Sequence, residues 1–181
     1  MSKILEKINT DRILSVSAIM IGLMTLVVYF IQTRLIIDQQ HAGVWPCIEL
    51  SGTNDMRGTK NKELFNINVI NKGIGPAIIK KVEIKFRKKI YNDFGDVFTI
   101  ATGSRNYINS SLEGRTMASN ETINPIQIPL SMEGHKFAPL FYNHDSTQIK
   151  IYYQSVYGKC FVSSGFDAKE LPDCSVLEDK K

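Results

Sequence analysis

The stretch from Ile13 to Ile31 is nineteen residues long and carries no charged side chain. As a helix rising about 1.5 Å per residue it measures roughly 28 Å, close to the thickness of a bilayer's hydrocarbon core. In that medium every backbone amide needs an internal partner, which a lone segment finds only as a helix. A chain of 181 residues is too small to hide so long an apolar rod inside one domain. The sequence therefore predicts one transmembrane α-helix over 13–31. A cleaved secretory signal has a shorter apolar stretch, roughly 7 to 15 residues, followed by a small-x-small cut site. Here the run ends in Tyr29, Phe30, Ile31, Gln32, Thr33 and Arg34, which marks an uncleaved anchor.

Flanking cations set the expected orientation. Lys3, Lys7 and Arg12 stand in the short tail 1–12, against Arg34 alone on the other side before Arg57. An excess of Lys and Arg marks the cytoplasmic side, so the N-terminus is expected in the cytoplasm and the remainder in the periplasm or outside the cell. Within the helix, Ser15, Ala18, Gly22 and Thr25 recur at intervals of three, four and three, which puts four small residues on one face. Such a face lets another helix approach closely, either a second copy or a different membrane subunit. Gln32 to Gln40 contains no helix breaker, so 32–45 reads as a juxtamembrane helical extension that Gly43 ends. Trp45 beside Pro46 fits headgroup depth or the first core position of the next domain.

From residue 46 to 171 the period changes from 3.6 to two. Phe65, Ile67 and Val69 alternate with Asn66 and Asn68, and Val82, Ile84 and Phe86 alternate with Lys81, Glu83, Lys85 and Arg87. Ile149, Ile151 and Tyr153 repeat the pattern of a half-buried strand. Further short candidates are Cys47 to Ser51, Val97 to Ala101, Ile123 to Leu130 and Cys160 to Ser164, making about seven strands with no second long helix. Short strands without crossover helices predict two antiparallel sheets packed face to face, with a barrel as the alternative. Tyr157, Gly158 and Lys159 read as a hairpin. Pro125 and Pro129 place their strand at a sheet edge, a possible docking line for another chain.

Asn71, Lys72, Gly73, Ile74, Gly75, Pro76 and Ala77 lie between two of these strands. Two glycines permit positive backbone angles and Pro76 fixes its own, so the chain is expected to turn sharply there. This run resembles the Asn-x-Gly-x-Gly-Pro-Ala turn of bacterial single-pass membrane-anchored immunoglobulin-like domain proteins, and Tyr153 to Gly158 resembles their late strand end. The resemblance implies an immunoglobulin-like antiparallel β-sandwich with one N-terminal transmembrane α-helix. It implies no active site, and an attachment or interaction role.

The glycines of the turn lack the Gly-Lys-Ser/Thr that opens a helix in a phosphate loop. His41, His135 and His144 are far apart, without the neighbouring ligands that a metal pair needs. Asp93 and Asp96 are too few carboxylates for a calcium loop and read as a turn. Lys80, Lys81, Lys85, Arg87, Lys88 and Lys89 place six cations in ten residues. They read as a solvated strand edge, or as a contact for anionic lipid or an acidic partner. No aromatic platform accompanies them, and a net charge of +4 does not call for nucleic acid, so none is expected. Cys160 and Cys174 are fourteen apart and can form a disulfide in an oxidising compartment, or remain two thiols. Cys47 is left over and is expected to be buried. The tail 172–181 is expected to fray.

These readings converge on a membrane-anchored β-sandwich without cofactor, metal or catalytic residues, acting as an interaction or scaffold subunit of a membrane complex. Its expected partners are the lipid bilayer, a membrane protein or itself through the helix, and a protein through the sandwich. Two alternatives stay open. One is a membrane effector or sensor, of a bacterial defence or stress type, whose helices assemble on a signal received by the sandwich. The other is a hydrolase with a loop-borne site.

Overall fold

The computed structural model describes residues 10–55, 64–129, 132–142 and 147–177. Lys3, Lys7, Leu130, His144 and the Glu178 to Lys181 end lie outside them. The chain divides into two units, Met1–Ala42 and Gly43–Lys181.

The first unit contains one continuous helix, α1 (Thr10–Ala42). Its stretch Arg12–His41 is long and apolar enough to cross a membrane. At about 1.5 Å per residue the whole helix measures roughly 50 Å, well beyond a hydrocarbon core. Its large apolar side chains are exposed all round, Leu14 at 64%, Leu26 at 69% and Tyr29 at 71%. Hydroxyls along it donate back to the helix: Ser17 Oγ to Leu14 O, Thr25 Oγ1 to Ile21 O and Thr33 Oγ1 to Tyr29 O, at 2.8 to 2.9 Å. Such donors present no unpaired hydrogen to an apolar medium.

The second unit is a two-layer β structure. Its strands are β1 (Ile48–Asp55), β2 (Leu64–Asn71), β3 (Ala77–Phe86), β4 (Lys89–Tyr91), β5 (Ile108–Asn109), β6 (Thr116–Met117), β7 (Thr122–Pro129), β8 (Thr147–Ser155), β9 (Cys160–Ser164) and β10 (Asp167–Glu170). One sheet runs β1-β2-β7-β5 and the other β10-β9-β8-β3-β4, with β6 also on β3. All these pairings are antiparallel. The order is that of the immunoglobulin fold, A-B-E-D facing G-F-C, with β4 in the C′ place and β10 added outside β9. The core forms where the inward rows meet. Phe65, Ile67, Val69 and Ile126 of the first sheet join Ile79, Val82, Ile84, Ile151, Tyr153 and Phe161 of the second. Gly43 to Trp45 belong with this unit, so the boundary falls earlier than the expected 45/46.

Two helices were not expected. The segment Val97 to Ala101, read as a strand, lies in α2 (Phe94–Thr102), and Met132–Tyr142 forms α3, which contains His135. Asp93 caps α2, its Oδ1 accepting from Gly95 N at 2.7 Å and Asp96 N at 3.3 Å, while both its oxygens accept from Asn109 Nδ2. Gly103, at φ 74°, closes the other end with its N–H on Thr99 O. Phe94, Val97 and Phe98 are buried at helical spacing. Phe98 and Phe137 meet edge to face at 5.2 Å, and Phe65 meets Phe141 at 5.9 Å, so the two helices close one end of the sandwich with aromatic rings.

The strand carrying Pro125 and Pro129 is not an edge. β7 lies between β2 and the two-residue β5. Its ladder with β2 shifts register between Ile67 and Val69, which leaves Pro125 at an irregularity where no amide donor is needed, and Pro129 ends the strand.

Tyr153 is fully buried, stacked on Phe161 at 5.5 Å, and its hydroxyl accepts from Ile48 N at 3.4 Å. Burial pushes its phenol up to about 12. An unfolded tyrosine ionises near 10, so between pH 10 and 12 the unfolded state releases a proton that the folded state keeps. Stability is complete below pH 10 and falls as pH rises through this window. The expected loss is on the order of 2 kcal/mol across it, measured by urea titration at each pH. Tyr153→Phe is expected to flatten most of that slope.

Candidate functional site

The Asn71 turn is a clasp. Asn71 is completely buried, and its Oδ1 accepts from Cys47 N at 3.2 Å and Gly73 N at 3.1 Å. Its Nδ2 lies within hydrogen-bond reach of Gly75 O at 2.8 Å, Ala118 O at 3.1 Å and Met117 O at 3.3 Å. Lys72 N and Ile74 N donate to Cys47 O and Trp45 O. The glycines are not needed for positive angles, since neither Gly73 nor Gly75 has one. They are needed for space: a Cβ on Gly73 would strike Trp45 O and Cys47 N, and one on Gly75 would strike Val44. Asn71, Gly73 and Gly75 thus fasten the segment Val44–Cys47 to the sandwich, and Pro76 follows them directly before β3. Cys47 beside them is only partly buried; desolvation first and Glu49 second raise its thiol above the ordinary range, while Lys72 pulls it down.

The six cations are split by the strand geometry. Lys80 sits at a bulge of β3 opposite β8, and Lys81 is paired to Glu83 at 3.0 Å. Glu83 also accepts from Tyr152 Oη at 3.1 Å. Burial, followed by the Glu83 charge and this hydrogen bond, raises the Tyr152 phenol. Lys85, Arg87, Lys88 and Lys89 gather at the β3–β4 hairpin. Phe86 pairs with Lys89 across a two-residue loop, in which Arg87 and Lys88 have φ of 48° and 69°. Both values are positive, as in turns of the I′ kind, where Asn-Gly is favoured. Arg87→Asn combined with Lys88→Gly is therefore expected to stabilise the domain by about 1 kcal/mol, read from a thermal melt.

Cys160 and Cys174 are joined in a disulfide, with Cα atoms 5.6 Å apart. It ties β9 to the short 3-10 turn Ser175–Leu177, so the tail is held at least to that turn, where fraying was expected. On α1, a Cβ added at Gly22 would meet nothing within 4 Å, so the face with Ser15, Ala18 and Thr25 is open at its centre.

A cleft of about 450 Å³, announced by no sequence motif, lies at the side of the sandwich. Leu50, Ser51 and Gly52 of β1 form one wall, and Thr147 to Lys150 of β8 form the other. Phe141 of α3 and the turn Ser164 to Phe166 complete it. It exists because β9 is short: β8 is paired with β9 only over Ile151 to Gln154, leaving Thr147 to Lys150 without a strand on that side. The near end is closed by Leu50 N donating to Gly165 O at 3.0 Å, and Ser163 Oγ donating to Ile48 O at 2.6 Å. Phe166 stands 72% exposed at the mouth. Leu50, Phe141, Ile149 and Phe166 give it apolar surface among hydroxyl, amide and ammonium groups.

No protein-family model matches the chain, and no curated protein does. The immunoglobulin arrangement is thus established by strand order, and function has to be argued from the residues themselves.

Proposed function

We propose that this chain is a single-pass membrane protein of the bacterial immunoglobulin-like kind, whose sandwich serves as a non-catalytic interaction or scaffold subunit of a membrane complex. The carrying observation is the exposure of the apolar side chains along α1, a surface that water does not tolerate and lipid does. The clasp at Asn71 supports the reading, because it fixes the first residues of the folded domain to the sandwich. The cleft beside β8 gives the sandwich a surface for recognition.

The proposed orientation puts the N-terminus in the cytoplasm and the sandwich in the periplasm or outside. Lys3, Lys7 and Arg12 ahead of the apolar run, against Arg34 alone behind it, favour it, as does the Cys160–Cys174 bond, since disulfides persist in oxidising compartments. The open face around Gly22 is proposed as the contact with a second helix, in a copy of this chain or another subunit. The test is purification of the full chain in mild detergent after crosslinking. A stoichiometric partner is expected, and its absence at every detergent tried would contradict the role. Membrane leakage on expression, abolished by Gly22→Ile, would favour the effector alternative instead.

A further inference from the structure

The second sheet contains a gap of definite size. Ser155 donates its backbone N–H to Lys159 O across the β8–β9 hairpin, so Ser155 directs its main-chain groups toward β9. Alternate residues of a strand share that direction, which makes Tyr153, Ile151, Ile149 and Thr147 do the same. β9 meets this row as far as Ile151, opposite Ser163, and then turns away at Gly165, φ 74°. Beyond that point the main-chain groups of Ile149 and Thr147 face the cleft with no strand beside them among the described residues.

Two neighbouring stretches of strand edge are covered. The outer side of β3 is occupied along its length: β6 pairs with Ala77 and Ile78, Arg115 O and Gly114 N bond Ile79, the Glu113 carboxylate accepts from Val82 N, and β4 pairs from Ile84 onward. The first residues of β1 are closed by Ser163 and Gly165. An interior strand left without a neighbour over four residues, above an apolar floor, presents the template that an added strand requires. The lining also has a charge preference. Lys150 is its one charged residue, and no carboxylate lies within ion-pair distance of it among the described residues.

We propose that this cleft takes an extended peptide segment of a partner protein, which continues the second sheet where β9 stops and sets an acidic side chain against Lys150. Four strand residues span roughly 13 Å, the length of the open edge. Side chains at alternate positions of the guest point inward to Leu50, Phe141 and Ile149, and the others outward past Lys150. This deepens the interaction role above and rests on it.

The test pans a phage-displayed library of random heptapeptides on the full chain in detergent micelles, then resynthesises a selected peptide with a fluorophore. Selected peptides are expected to alternate apolar residues and carry an acid, and to bind Lys150→Glu about fivefold more weakly or worse. N-methylation at one alternating set of peptide positions is expected to abolish binding, and at the other set to leave it intact. A merely greasy pocket would not make that distinction, so equal tolerance of both sets overturns the proposal. So does displacement of the peptide by a second copy of the chain or by palmitate with no dependence on residue 150. A stoichiometric partner that stays bound to Lys150→Glu under saturating peptide overturns the groove alone. The lack of any such partner overturns the interaction role and the groove with it.

Discussion

Asn71→Ala is expected to lower the stability of the sandwich by about 4 kcal/mol. The asparagine stands against five backbone groups, Cys47 N and Gly73 N on its oxygen and three carbonyls around its amide nitrogen. Alanine fills none of these roles, and a buried main-chain group without a partner costs about 1 to 3 kcal/mol, less than additively when several share one site. Asn71→Asp separates the two halves of the interaction. It keeps the acceptor but turns a donor into a carboxylate facing carbonyls, so at neutral pH it is expected to be no better than alanine. Gly73→Ala attacks the same clasp sterically, through Trp45 O and Cys47 N, and is expected to cost about 3 kcal/mol. Trp45 is the only tryptophan, so its fluorescence during urea unfolding of the detergent-held chain reads this seam directly. A loss below about 1 kcal/mol for Asn71→Ala would show that water replaces the asparagine and that the clasp is dispensable.

The second large effect concerns the disulfide. Cys160→Ser, Cys174→Ser and the double variant are each expected to lose about 3 kcal/mol, because the bridge closes a loop of about fifteen residues and limits the unfolded chain. Cys174→Ser should agree with the reduced wild type. Buried Cys160 makes its own serine variant the worst of the set. If reduction leaves the melting temperature unchanged, the bridge does not constrain the unfolded state.

The strands were legible in the sequence because their signal is local. Alternation at Phe65 to Val69, Val82 to Phe86 and Ile149 to Tyr153 reports directly which side chains face inward, and those rows form the core. The helices between strands were not legible. Val97 to Ala101 contains β-branched and aromatic residues that favour a strand, and tertiary packing of Phe98 against Phe137 and Tyr107 overrides that preference. The signal that would have found α2 was its punctuation, Asp93 before it and Gly103 after it. Pro139 inside α3 obscured that helix as well. The turn at Asn71 is legible from its residues, but its glycines serve close approach and not positive φ, and that depends on Val44 to Cys47, about thirty residues earlier. The cleft was invisible for a related reason. It is an absence of pairing beside β8, fixed by where β9 ends, and no residue type announces it.

Retention of the full chain by membranes after a sodium carbonate wash tests the transmembrane reading of α1 most directly. Peripheral proteins leave under this treatment, whereas a helix that crosses the bilayer leaves only with detergent. The chain is expected in the pellet, released by detergent and not by carbonate. Its appearance in the carbonate supernatant would contradict the spanning helix and the membrane role argued from it.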